Sequence, residues 1–182
     1  TSISDILIKS LNTEVIIAGV VKQDQELDLA ITARNLDISR FQSNLPHPVT
    51  GMASFGGHLT GTPQQPRFSG QLTAASLTYK NLAITNVNGD IRVIDNDIEI
   101  PCFKFEQGGG IYNFTGGLDL ASGIVYGGLD VEKGDLAALF SLLGLPAKEV
   151  SGQMNGHIQL SGTMDRPNLW LTGGVTNGKI KN

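Results

Sequence analysis

The chain has 182 residues, 23 of them glycine, with only 16% charged side chains and a formal net charge of −4. That length suits one domain with a real core. The acidic balance leaves no basic stripe to neutralise phosphates or hold an anionic membrane surface, which excludes nucleic acid as a partner. The single cysteine, Cys102, closes no intrachain disulfide. No run approaches the roughly 20 apolar residues of a membrane-spanning helix, and Thr1 opens into a strand pattern without a signal peptide.

Ile3, Ile6 and Ile8 mark a short strand candidate, and the run from Val15 to Val21 reads as a strand covered on both sides. Leu27, Leu29, Ile31 and Ala33 alternate with more polar neighbours and complete a first hairpin across the polar turn at 22–25. From Asn35 to Leu45 the alternation breaks, and Pro46 and Pro48 end the segment. Val49 to Leu77 is the first copy of a repeat. Strand patterns follow at Leu82 and Ile84, at Val87 to Val93, and at Ile98 and Ile100, beyond a turn at Asp95-Asn96-Asp97. At Pro101 and Cys102 the phase slips by one residue, so that Phe103 and Phe105 take the apolar positions, which predicts a bulge. The turn Gly108-Gly109-Gly110 leads into Tyr112 to Leu120, and a turn at 121–123 into Val125 to Val131. Asp135 is placed to cap a short helix with Leu136, Leu139, Phe140 and Leu143 on one face, ended by Gly144 and Pro146.

The copy at 49–77 returns at 150–180. Val49, Gly51, Leu59, Gly61, Thr62 and Pro66 match Val150, Gly152, Leu160, Gly162, Thr163 and Pro167, each pair 101 residues apart. A two-residue insertion then brings Gly70 onto Gly173 and Leu72 onto Val175. Each copy reads as a hairpin with a long loop, built on its Gly-Thr pair and its proline. The second copy stops at Asn182 where the first runs on into further strands. The chain therefore reads as one β-rich domain, residues 1–182, excised from a longer repetitive protein. About twelve strands are expected, with one face apolar and the other polar. That pattern fits either an elongated, curled, antiparallel-rich sheet with a short helix near 135–143, or a closed β-sandwich.

Chemistry-bearing patterns are sparse. His47, His58 and His157 lack zinc spacing and read as surface residues, His58 aligning with Gln159 in the repeat. Asp95, Asp97 and Glu99 lack the glycine and distal glutamate of a calcium loop. Cys102 lacks an activating motif, the triple glycine lacks a following Lys-Ser/Thr, and no carboxylate pair suggests acid–base work. Trp170 reads as packing rather than a stacking platform. No cofactor, metal site or enzymatic activity is expected.

The pattern V-[TS]-G, then L-[TS]-G-T, then P-x-[FLW] resembles the TamB family of AsmA-like envelope proteins. Leu59 to Leu72 and Leu160 to Leu169 fit its repeat, G-x-L-x-[GS]-T-x-x-x-P-x-[FL]-x-G-x-L. Asn35-Leu36-Asp37-Ile38 and Gly134-Asp135-Leu136 are similar to its link between hairpin and repeat. The resemblance implies a shell- or taco-like sheet with an apolar inner groove. It implies a periplasm-spanning protein held in the inner membrane by an N-terminal helix absent from this chain. Its expected partners are phospholipid acyl chains and an outer-membrane barrel of the Omp85 type, for lipid carriage or outer-membrane protein assembly. Gly51, Gly61, Gly152 and Gly162 carry over as structural positions only. The expected lining is Leu27, Leu29, Ile31, Leu59, Leu72, Ile84, Ile91, Val93, Ile98, Ile100, Phe103 and Phe105. Pairing of the sheet edge with nascent barrel strands, and a sandwich-type adhesin module, stand as alternatives.

Overall fold

The computed structural model describes residues 2–10, 13–41, 48–145 and 150–180. Their alternation of apolar and polar side chains resolves into eleven strands in a single sheet whose spatial order is the chain order. The strands are β1 Ser2–Ser10, β2 Thr13–Val21, β3 Leu27–Asp37, β4 Val49–Thr62, β5 Gln65–Tyr79 and β6 Leu82–Ile94. They continue as β7 Asp97–Gln107, β8 Gly110–Asp119, β9 Val125–Asp135, β10 Val150–Thr163 and β11 Arg166–Ile180. Every neighbouring pair is antiparallel, and β1 and β11 do not meet, so the sheet is not closed. The described residues form one sheet and not a two-sheet sandwich.

Eleven strands replace the expected twelve because Leu82–Ile94 is one strand rather than two. Its change of phase between Ile84 and Val87 is a bulge against β7, with Asn86 held at a φ of 52°. The slip expected at Pro101 is present, as a register shift between Ile100 and Phe103 in the pairing with β8.

The repeated hairpins are tight rather than long-looped. Thr62 pairs with Gln65 and Thr163 with Arg166, so only Pro63-Gln64 and Met164-Asp165 make the turns. The Gly-Thr pair and the later proline lie inside the strands, where Gly61 faces Pro66 and Gly162 faces Pro167. Both glycines are needed there. Gly61 has a φ of 86° and Gly162 of 104°, and a Cβ would stand 2.4 Å from the Gln65 carbonyl or 2.6 Å from that of Arg166. The Thr62 hydroxyl then accepts the Gln65 N–H at 3.2 Å.

Pairing also removes the two-residue insertion from the repeat. Gly57 faces Gly70 in the first hairpin, and Ile158 faces Leu171 in the second, both 101 residues on. Gly70 therefore corresponds to Leu171, and Leu72 to Gly173. The equivalence extends well beyond the hairpin. Ile3 faces Gly19 and Ile6 faces Ile17 across a register shift; Ile100 faces Gly116 and Phe103 faces Phe114 across the same shift, 97 residues on. Ala33 faces Phe55 and Leu36 faces Ala53; Val131 faces Gly156 and Gly134 faces Met154. Asn35 and Lys133, at equivalent bulges, share a φ of 52°. Strands β1–β5 are thus repeated as β7–β11, and β6 joins the two sets.

Bulges in β3 to β6 and again in β9 to β11 fall at one level across the sheet and bend it. One buried cluster consequently joins Ala53, Ala74 and Val87 to Phe105, Tyr112, Val131 and Met154, which a flat sheet would keep strands apart. The helix α1, Leu136–Leu142, lies inside that curve and adds a fully buried Leu139. Its N-cap is Asp135, as expected, whose carboxylate accepts the Ala138 N–H at 2.7 Å. Gly144, at a φ of 76°, closes it in a Schellman arrangement: Leu145 N–H donates to the Phe140 carbonyl at 2.8 Å and Gly144 N–H to that of Ser141 at 3.2 Å. The corresponding link after β3 is a single 3-10 turn, Ile38–Phe41, with Ser39 N–H donating to Asp37 at 3.1 Å. Leu45, Pro46, His47 and Pro146 lie outside the described residues.

Candidate functional site

Side chains directly opposite one another on neighbouring strands share a face, so the register fixes what lines the concave side. One row crosses Leu29, Leu59, Phe68, Val93, Ile98, Leu118 and Val125. A second crosses Val15, Ala33, Phe55, Leu72, Gly89, Phe103, Phe114, Leu129, Ile158 and Leu171, and so spans β2 to β11. Between them Ile31 faces Gly57, Gly70 faces Ile91, and Ile100 faces Gly116. Leu27 faces Gly61 nearer the rim. Apart from Tyr112, every buried residue among the described ones is apolar or glycine.

The expected lining residues divide into two groups. Phe105 is buried in the core cluster, and Leu72, Ile84 and Phe103 pack against it, at the end that α1 fills. Leu27, Leu29, Ile31, Leu59, Ile91, Val93, Ile98 and Ile100 are half-buried and lie towards the other end. Sequence reading left out Phe55, Phe68, Phe114 and Ile158, which share the same face. Their alternation in β4, β5, β8 and β10 was the signal available for finding them.

Helix α1 fills the packed end of the trough. Leu136, Leu142 and Leu143 pack on the core cluster beside Leu139. The Lys80 ammonium, in the turn between β5 and β6, donates to the Ser141 carbonyl at 3.1 Å. That bond ties the helix to strands far from the β9–β10 connection to which it belongs. Below it Tyr112 stacks on Phe105 with ring centroids 4.8 Å apart. The Tyr112 hydroxyl is buried without a hydrogen-bond partner; the Asp135 N–H approaches it but completes no bond of ordinary geometry. Burial first, and the Asp135 charge second, hold this phenol above its ordinary pKa.

The convex face is polar. Its best-organised feature is a shallow hollow over Gly127 and Gly128, lined by Arg92, Glu99, Tyr126, His157 and Gln159. His157 Nδ1 lies 2.7 Å from Asp130 Oδ1 and its Nε2 lies 3.3 Å from Gln159 Oε1, while Gln159 Nε2 donates to the Gly127 carbonyl at 2.8 Å. The bond to Asp130, then that to Gln159, raises the His157 pKa above 6.5. His58 lies 3.7 Å from Asp28. Among the described residues no three His, Cys, Asp or Glu side chains converge as metal ligands. Cys102 is half-buried, its thiol 3.5 Å from Asn113 Oδ1. Trp170 is not packed as expected: it is 74% exposed, opposite Gln159 on the convex side of β11. No helix of the described residues is long and apolar enough to cross a membrane. Comparison with known protein families, curated proteins and solved structures finds no match.

Proposed function

We propose that this chain is a segment of a TamB-type envelope protein, held in the periplasm, whose trough carries phospholipid acyl chains between inner and outer membranes. Supply of lipid in this way would support assembly of the outer membrane at an Omp85-type barrel. The observation that carries the reading is the half-buried apolar row from Leu29 through Leu59, Phe68, Val93 and Ile98 to Leu118, on a sheet that does not close over it. Such a face transfers an acyl chain out of water at about 0.8 kcal/mol per methylene, whatever the lipid's exact length.

The test is native mass spectrometry of the purified chain with lipid extraction of the same sample. Co-purifying phospholipid is expected, and its loss in Leu29→Asp or Ile91→Asp proteins that remain folded. Lipid-free protein with a cooperative melting core would overturn the lipid reading. A second reading is pairing of nascent outer-membrane barrel strands with an edge of the sheet, whose outermost strands among the described residues, β1 and β11, each have one neighbour.

A further inference from the structure

The convex hollow over Gly127 and Gly128 is built from β6 to β10, strands that each have a neighbour on both sides. Two rings lie across the backbone there instead of standing away from it. A Cβ on Gly117 would stand 2.5 Å from Tyr126 Oη and 2.6 Å from its Cζ, so the phenol covers that glycine. A Cβ on Gly128 would meet the His157 imidazole at 2.7 Å, and no backbone atom of a neighbouring strand within 3.8 Å. His157 thus leans from its place opposite Asp130 over the next convex position of β9, and its bond to Asp130 at 2.7 Å fixes it. Tyr126 is nevertheless 49% exposed. Strand spacing and residue rise place the two covered glycines roughly 8 Å apart. We propose that this hollow binds a neutral oligosaccharide, whose sugar rings lie flat on Tyr126 and His157.

Covering a strand glycine is a structural use of a ring, and the polar groups around these rings go beyond it. Arg92 faces Glu99, and Glu99 faces Gly117, so a guanidinium and a carboxylate flank the phenol along one row. Among the described residues neither is in a salt bridge. Thr115 lies in the next row, opposite Gly128. Sugar hydroxyls both donate and accept. One ring can therefore donate to Glu99 and accept from Arg92 while its C–H face rests on an aromatic ring. A phosphate would meet the carboxylates of Glu99 and Asp130 beside one guanidinium, in a chain of net charge −4. An acyl chain would leave the same charges desolvated and unpaired. The hollow has a volume of about 430 Å³ and is open to solvent, which suits a ligand lying on the sheet rather than one enclosed by it. The proposal is independent of lipid carriage, because the trough lies on the opposite face.

The experiment titrates the whole chain with cellotetraose, maltotetraose and chitotetraose, all neutral, and follows backbone amide shifts by NMR. The expected result is saturable binding of at least one of them, with shifts centred on Arg92, Glu99, Tyr126, Gly128 and His157. Tyr126→Ala is expected to weaken binding about tenfold, and Tyr126→Phe to leave it within about twofold. Gly128→Ala, which lifts the imidazole off the sheet, is expected to weaken it about threefold. Absence of saturation by all of them at about 10 mM overturns the proposal, as do shifts confined to the trough. Binding that Tyr126→Ala leaves unchanged, or that inorganic phosphate displaces, overturns it too. Gly128→Ala keeps the test decisive should Tyr126→Ala fail to fold.

Discussion

The two ends of the trough are built from the same strands and packed in opposite ways. At one end the bulges bend the sheet around Tyr112, Met154 and Leu139, all fully buried, and α1 lies across them. At the other end Leu29, Leu59, Val93 and Ile98 stand in a row on the same face and remain half-buried, with no helix of the described residues over them. Apolar content does not make the difference, since both ends are rich in Leu, Ile, Val and Phe. Curvature does, because a sheet of fixed strand spacing must bend before side chains from distant strands touch. A chain that needs both a stable fold and an exposed apolar face can thus place stability at one end and exposure at the other.

The largest effect that probes this contrast is truncation of the packed end. Met154→Ala is expected to cost about 2–5 kcal/mol by chemical denaturation, as a cavity opens under α1. Leu59→Ala, in the open row, is expected to cost well under half as much, since the side chain is already partly in water. Equal losses at the two sites would erase the distinction between the ends.

Loosening the helix is a smaller perturbation. Asp135→Ala removes the acceptor of the Ala138 N–H and is expected to cost about 1 kcal/mol. Its sharper readout is local. Amide exchange should quicken in α1, while the turns at 63–64 and 95–96, at the far rim, keep their rates.

The smallest expected effect lies outside both ends. Asp130→Asn should lower the His157 pKa towards 6.5, observable by NMR of the imidazole. Because the folded value is raised, any stabilisation from the pair is fully present below pH 6.5 and disappears as pH rises through the folded value. Both partners are largely solvated, so melting should hardly change with this substitution at any pH. A marked change would tie the convex hollow to the packing of the core.

Much of this was legible in the residues. Alternation located the strands, Asp135 and Gly144 bounded the helix, and Pro101 marked a bulge, because each depends on local backbone chemistry. The repeated hairpin was legible through Gly61 and Gly162, where a side chain cannot be tolerated. Alignment of letters went astray after Pro66, matching Gly70 to Gly173, because Gly70 has no positive φ and gives room chiefly to the Phe55 and Phe68 rings, so it can be replaced when those rings change. The wider duplication of β1–β3 as β7–β9 was hidden for a related reason. Val15 and Tyr112, or Asn35 and Lys133, occupy equivalent places with nothing in common as side chains.

By itself, then, the sequence determined the elements: period-two alternation, glycine where φ must be positive, and an acid at a helix start are read within a few residues. Only the tertiary structure decided how those elements are shared between a packed end and an open face. Register, curvature and the reach of Lys80 to Ser141 join residues far apart in the chain, and backbone pairing tolerates many side chains at each position.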